Sequence, residues 1–378
     1  MCHINFERSA QGFYFFDIAA SCMPSVNQFP KVSILVVNYN GLTALGDLLQ
    51  RCLYSALSID YPDFELIFVD NASDDDSMGY VEKSLRDNRV KLLRLNTNRF
   101  YLGALEEGAK VADERSEYLV FMNNDVVVTP SWLKQLITVM VGDQSVGIAC
   151  PSVLNFDGSP QWTAGYVDRF INSIYLADLS MKKTFLASVP NGPVYVIRRS
   201  LVRDKSFFDR VLVYNEEEYV GHIVWMKGFK IVVVPTSVVY HRGRATIGKY
   251  NISFFRFHLY KNEFYLLFKF GDTLSIVVGF LLKLARLPIF AVAWAAARGK
   301  GDFIIYLHAI SWLFRNSRKI RRCKGKGMLY MPSKYSPLLS ILRYTRMGKR
   351  ILRIVARHME KEIGTGETLL YRHAQPLS

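Results

Sequence analysis

From Lys31 onward two patterns of apolar residues alternate along the chain. Short, mainly apolar runs at 32–37, 64–69, 90–95 and 118–122 have strand length and read as strands, the first buried and the last covered on both faces. Between them apolar residues recur every three or four positions. Leu45, Leu48, Leu49, Cys52 and Leu53 share one face of a helix expected from about 43 to 57, and further helices are expected over 77–85 and 103–112. Strands alternating with helices predict an α/β fold built on a mostly parallel, doubly wound sheet. After Pro130 the pattern predicts a helix through Val141 and a short strand at 146–150. Residues 151–190 are rich in turn formers and predict an irregular stretch. Strand character returns at 194–198 and 230–234, on either side of a helix over 216–227.

From Phe254 the pattern changes. Segments 273–282, 287–297 and 303–314 are apolar and free of charged residues, and each is about half the ~20 residues that a spanning helix needs. Reading 274–297 as one span would put Lys283 and Arg286 near mid-bilayer, at about 2.5–3.5 kcal/mol per charge. Helices lying in the membrane plane avoid that cost. A polybasic block follows, with Arg315, Arg318, Lys319, Arg321, Arg322, Lys324 and Lys326, and it suits anionic headgroups. The expected organisation is an extension over 1–30, an α/β domain over 31–270, and a basic, apolar helical region over 271–378 that associates with the membrane.

Composition sharpens this picture in three ways. The chain has 378 residues and a net charge of +15. The basic excess lies after residue 250, and the preceding part is close to neutral, which separates a globular domain from a basic tail. Nucleic acid is a poor partner for that tail, because apolar helices interleave its charges. The five cysteines contain no CxxC pair, so neither a zinc site nor a disulfide framework is indicated, and a reducing setting fits. No signal peptide is expected in the first 30 residues, since Phe13-Tyr-Phe-Phe16 is too short and Asp17 interrupts it.

Candidate chemistry sits where the strands end. The run Tyr118–Met122 stops abruptly at Asn123-Asn124-Asp125. The first strand ends in Asn38-Tyr39-Asn40-Gly41, the second in Asp70-Asn71-Ala72-Ser73-Asp74, and the third runs into Asn96-Thr-Asn98-Arg99. Singly these are ordinary turn formers. In an open α/β sheet, however, ligands bind beyond the carboxyl ends of the strands, and all four loops converge there. A hard divalent cation on a diphosphate wants oxygen ligands, which the Asn123-Asn124-Asp125 junction supplies. Asp70 could accept from a base or ribose, and Tyr39 could pack on the base.

Residues 31–270 resemble a family 2 glycosyltransferase of the GT-A fold, especially its rhamnosyltransferase-like branch. The resemblance is carried by Val36-Val-Asn-Tyr-Asn-Gly41, by Val69-Asp-Asn-Ala-Ser-Asp74, and by Asn123-Asn-Asp125 at the place of the metal-binding DxD motif. It implies inverting, metal-dependent transfer from a nucleoside-diphosphate sugar to a lipid-linked or cell-surface glycan at the cytoplasmic face of the cell membrane. Asp125, with Asn123 and His241, would hold Mg2+ or Mn2+. Asn38, Tyr39, Asn40, Asp70, Asn98, Asn124, Arg242 and Arg244 would bind the nucleotide. Tyr214-Asn-Glu216-Glu217-Glu218-Tyr219 occupies the segment of the family's catalytic base, which points to Glu217 with Glu216 beside it. Departures at Phe100, Leu105, Pro193, Tyr219 and Ile223 put donor and acceptor details outside what is inherited. Two other functions fit the same fold: a polyprenyl-phosphate sugar synthase, and a catalytically weak nucleotide-sugar-binding scaffold.

Overall fold

The computed structural model describes residues 5–8, 14–17, 29–177, 183–204, 207–209, 213–243, 252–297, 301–323 and 328–330, with short stretches at 340–342, 345, 350–351, 353–357 and 371–372. In the extension, β1 (Asn5–Arg8) and β2 (Tyr14–Asp17) pair as an antiparallel hairpin, so this part is more regular than its sequence suggests.

The α/β domain opens with β3 (Val32–Asn38). The single helix expected next is two, α1 (Gly41–Leu45) and α2 (Asp47–Leu57), because Gly46 sits between them at φ 56°, ψ −128°, outside helical space. Then come β4 (Phe64–Asp70), α3 (Ser77–Ser84), β5 (Val90–Arg94), α4 (Phe100–Val111) and β6 (Tyr118–Asn123). A short β7 (Val126–Val128) precedes α5 (Trp132–Gly142) and β8 (Val146–Leu154). The stretch expected to be irregular contains β9 (Pro160–Trp162), β10 (Ala164–Val167), β11 (Ser173–Leu176) and β12 (Phe185–Leu186). The domain continues through β13 (Val194–Arg198), α6 (Arg199–Val202), α7 (Glu216–Met226), β14 (Lys230–His241) and α8 (Ile252–Phe270). β14 runs seven residues beyond the expected 230–234. Pro235 suggests a stop, but a register irregularity between Val234 and Val238 absorbs it.

One sheet holds ten strands, in the order β12-β14-β8-β13-β6-β3-β4-β5, with β7 beside β14 and β9 beside β8. The half β6-β3-β4-β5 is parallel, as its βαβ rhythm requires. The other half is mixed: β13 lies antiparallel between β6 and β8, because the chain reaches it through short strands rather than a crossover helix. Alternate strand residues feed two cores. Val32, Ile34 and Val36 pack with α2 and α5, and Leu35, Ile67 and Val69 pack with α4 on the opposite face. After α8 come α9 (Thr273–Leu284), α10 (Arg286–Ala296) and α11 (Phe303–Asn316), which close a third cluster around Tyr260, Phe264, Phe290 and Tyr306.

Candidate active site

The parallel register brings the strand ends together. Asn38 lies opposite Asp70, Val37 opposite Asn123, and Asp70 opposite Arg94. Asn38 is fully buried and latches three strands. Its Nδ2 donates to Asp70 Oδ1 and Ser73 Oγ, both at 3.2 Å, while its Oδ1 accepts from Asn124 Nδ2 at 2.7 Å. The chain needs glycine at position 41, since a Cβ there would fall 1.9 Å from Asn38 Oδ1. Asp70 is equally buried and also accepts from the Ser73 hydroxyl at 2.5 Å. Asn40 takes a left-handed conformation (φ 51°) that asparagine tolerates, and its Oδ1 accepts from the backbone of Asp74 at 2.7 Å. Asn98 Oδ1 accepts from Asn71 Nδ2 and from the Phe100 backbone. Of the residues expected to bind nucleotide, Asn38, Asn40, Asp70 and Asn98 thus shape the loops around a ligand site, with their oxygens engaged inside the protein. Tyr39 and Asn124 are half-buried at the same edge, and the Arg242 side chain is exposed. Arg244 lies outside the described residues.

Asp125 and His241 meet because β7 pairs antiparallel with the end of β14, with Val126 opposite His241. Both side chains are nearly buried, and His241 Nε2 lies 3.2 Å from Asp125 Oδ1. On the far side of the ring, Nδ1 sits 2.6 Å from Gln161 Oε1. The amide orientation of Gln161 follows from its Nε2, which donates to Asn155 Oδ1 at 2.9 Å and toward the His241 carbonyl at 3.4 Å. The Gln161 oxygen therefore takes the proton of Nδ1, which turns Nε2 toward the Asp125 carboxylate across a gap that a proton or a cation can bridge. Neighbouring ligands of an octahedral Mg2+ or Mn2+, each about 2.1 Å from the ion, lie about 3 Å apart, so the spacing fits. Among the described residues no three His, Cys, Asp or Glu side chains gather around an ion position. Asn123 is half-buried at the end of β6, and its backbone N–H donates to the Pro193 carbonyl at 2.9 Å.

The carboxylates open α7. Glu216 folds back so that its Oε1 accepts from the Tyr214 backbone at 2.9 Å, closing the strained entry at Tyr214 and Asn215, which are both at positive φ. Glu217 points the other way and rests on Gly192, where a Cβ would fall 2.1 Å from its Oε1. Burial, then the nearby charges of Glu216 and Glu218, push the Glu217 carboxyl up to about 8. Burial raises Glu216 as well. Glu218 is structural, accepting from Ser173 and Tyr175 inside the core.

Tyr101, on the first turn of α4, was not singled out by its motif. Its hydroxyl is buried without a hydrogen-bond partner among the described residues, and its phenol is raised by burial first and then by the charges of Glu217, Glu216 and Asp125. That puts one buried donor within electrostatic reach of both Asp125 and Glu217. Gln161 was also missed, and no local sequence signal marks it, because it reaches His241 through a strand pairing.

Comparison with known proteins agrees with this fold. Residues 33–206 match Glycosyl transferase family 2. Over 101 residues the chain is 30% identical to the poly-beta-1,6-N-acetyl-D-glucosamine synthase of Staphylococcus epidermidis, covering 27% of this chain and 23% of that protein. The chain thus spans less than a quarter of that relative's length. The fold is that of S. aureus TarS residues 1–349, with a TM-score of 0.52 at 16% identity over 91% of this chain and 98% of the other. It is also that of the mannosyltransferase PcManGT from Pyrobaculum calidifontis in complex with GDP-Man and Mn2+, with a TM-score of 0.51 at 18% identity over 89% of each chain. The family matched is broader than the rhamnosyltransferase-like branch that the motifs resemble. Residues 33–206, folded as a GT-A domain, are the part of this chain that matches glycosyl transferase family 2.

Proposed function

We propose that this protein is an inverting glycosyltransferase that moves a sugar from a nucleoside-diphosphate sugar to a hydroxyl of a lipid-linked or cell-surface glycan acceptor, at the cytoplasmic face of the cell membrane. The observation that carries the reading is that two unlike groups, the Asp125–His241 pair and a carboxylate of raised proton affinity, Glu217, share the buried Tyr101 hydroxyl as an electrostatic neighbour. Glu217 takes the acceptor proton as the acceptor oxygen bonds to the anomeric carbon and the bond from that carbon to the diphosphate oxygen breaks. One base aimed at the acceptor supports a single displacement, hence inversion. Tyr101 donates its free O–H to an oxygen entering between the two groups. Asp125 and His241 would hold a divalent cation, which would supply positive charge against that developing on the leaving diphosphate. An imidazole beside a carboxylate is a softer set than Mg2+ prefers, which favours Mn2+.

The test is release of nucleoside diphosphate from UDP-, GDP- and dTDP-sugars by the full chain, supplied with membrane extract and Mn2+. One donor is expected to turn over, and Asp125→Ala or chelation to abolish it. No release from any donor, with Asp125→Ala indistinguishable from wild type, overturns the reading. The product separates the acceptors: an acid-labile monosaccharide lipid made from polyprenyl phosphate alone would assign the chain to lipid-phosphate sugar synthesis instead.

A further inference from the structure

Helices α9 and α10 form one bent apolar rod, Thr273–Ala296, long and apolar enough to cross a membrane by composition alone. The bend at Ala285 has a local cause: Pro288 lacks an N–H, and its ring crowds the Leu284 carbonyl. The rod is amphipathic in the inverse of the usual sense. Ser275, Gly279, Lys283, Arg286 and Phe290 recur every three or four residues and are buried. Leu274, Val277, Leu281, Ala285, Pro288 and Val292 recur at the same spacing and are exposed. A helix surrounded by water would carry these faces the other way round.

The inner face is fastened to the catalytic domain. Lys283 Nζ and Arg286 Nη1 reach Glu263 Oε2 of α8 at 3.0 and 2.6 Å, all three side chains being buried. Asp272 pairs with Arg169 at 3.1 Å, and Gly279 lets the rod close on Leu267 and Phe170. A crossing helix would have to leave Glu263 behind, so the rod lies along the domain with its apolar stripe outward. On α11, Ile304, Leu307 and Phe314 are exposed as well, and the Phe314 ring packs against Phe280 of α9. A cavity of about 280 Å3 opens beside it, lined by Phe268, Ile276, Val277 and Ile320 together with Arg322. Arg315, Arg318, Lys319, Arg321 and Arg322 are exposed at the end of α11. The one acidic residue between Thr273 and Lys326 is Asp302, already bonded to Arg256 and Tyr260.

We infer that the stripe of α9 and α10, with Ile304, Leu307 and Phe314, is a surface that lies in the plane of a bilayer rich in anionic lipid, the basic end of α11 resting on its headgroups. Apolar area sets the depth and the basic residues select the lipid. The inference rests on the membrane placement proposed above and is independent of the transfer chemistry.

Flotation of the full chain with phosphatidylglycerol-containing and pure phosphatidylcholine vesicles tests it. The anionic vesicles are expected to capture the wild type. The triple variant Leu274→Glu, Leu281→Glu, Val292→Glu, and separately Arg318→Glu with Arg321→Glu, should each lose about tenfold or more of that binding, with unchanged thermal unfolding and nucleotide release. A polarity-sensitive fluorophore placed in turn at Leu274→Cys and Ala296→Cys should shift to the blue at both ends, and a quencher trapped inside the vesicles should reach neither. Quenching at one end from the inside shows a crossing helix and overturns the inference. So does undiminished binding by the triple variant, or a vesicle-free dimer that this variant dissolves. Absence of vesicle binding with intact nucleotide release overturns the inference and leaves the transfer reading standing; vesicle binding without turnover does the reverse.

Discussion

Glu217 has a carboxyl that gives up its proton late, and its surroundings explain why. Burial is the larger cause and the charges of Glu216 and Glu218 the smaller. Below about pH 8 the free enzyme therefore holds Glu217 protonated and unable to act as a base, so kcat/KM is expected to rise with pH toward about 8. Glu216→Gln removes one of the like charges and should move that acidic limb to lower pH, which a pH profile of nucleotide release checks. Glu217→Gln should lower turnover about 10²–10⁴-fold, the usual contribution of a positioned base, with nucleotide affinity unchanged by calorimetry. The same variant should raise Tm at pH 9 and leave it unchanged at pH 4. Ionising Glu217 is harder in the folded chain than in the unfolded one, so the penalty appears only as pH climbs from the ordinary carboxylate range through the raised value. At this scale the sequence marked Asp125, His241 and the Glu216–Glu217 segment by residue type and motif. It was silent on Tyr101 and Gln161, whose roles come from burial and from a partner far along the chain.

At the scale of elements, loops that look interchangeable in sequence divide into latches and walls. Asn38 ties the ends of β3, β4 and β6 together. Asn38→Ala leaves buried partners without their bonds and should cost about 1–3 kcal/mol in denaturant unfolding. Gly192 is a wall against which Glu217 rests. Since the clash made by Gly192→Ala falls on the far end of a flexible side chain, Tm should move little while Glu217 is displaced. Activity should then fall about 100-fold, as small misplacements of reacting groups do. A large loss of Tm with proportionate loss of activity would assign Gly192 to folding instead. Apolar runs and periodicities foretold β3 to β6 and most helices, because β3, β4 and β6 are covered on both faces by the helices that follow them, and even the largely exposed edge strand β5 keeps strand-length apolar residues. They failed at Gly46 and Pro235, where one residue's backbone preference competed with the pattern, and over 151–190, where short strands are defined by partners rather than by their own residues.

Across the whole molecule, the buried Glu263, Lys283 and Arg286 join the catalytic domain to the C-terminal helices. Burial draws the Lys283 ammonium down to about 8, with Glu263 opposing it. Glu263→Ala strands two buried cations and should destabilise the chain by about 3–5 kcal/mol. The loss should be larger at pH 6 than at pH 9.5, because Lys283 can shed its charge in the folded state as pH rises toward its unfolded value. Adding Lys283→Met should recover part of it. Equal loss at both pH values would show that Lys283 carries no charge there.

The order of strands and helices, the polar strand ends, the uneven charge along the chain and the apolar C-terminal segments follow from the sequence by itself, since each depends only on which residues stand near one another along the chain. Three matters were decided only by tertiary structure. The antiparallel insertion of β13 brings Gly192 beneath Glu217; the pairing of β7 with β14 joins Asp125 to His241 and Gln161; and the docking of α9 on α8 turns two charges inward and an apolar stripe outward. Each depends on which distant segments meet, and a pattern read along one chain carries no record of that.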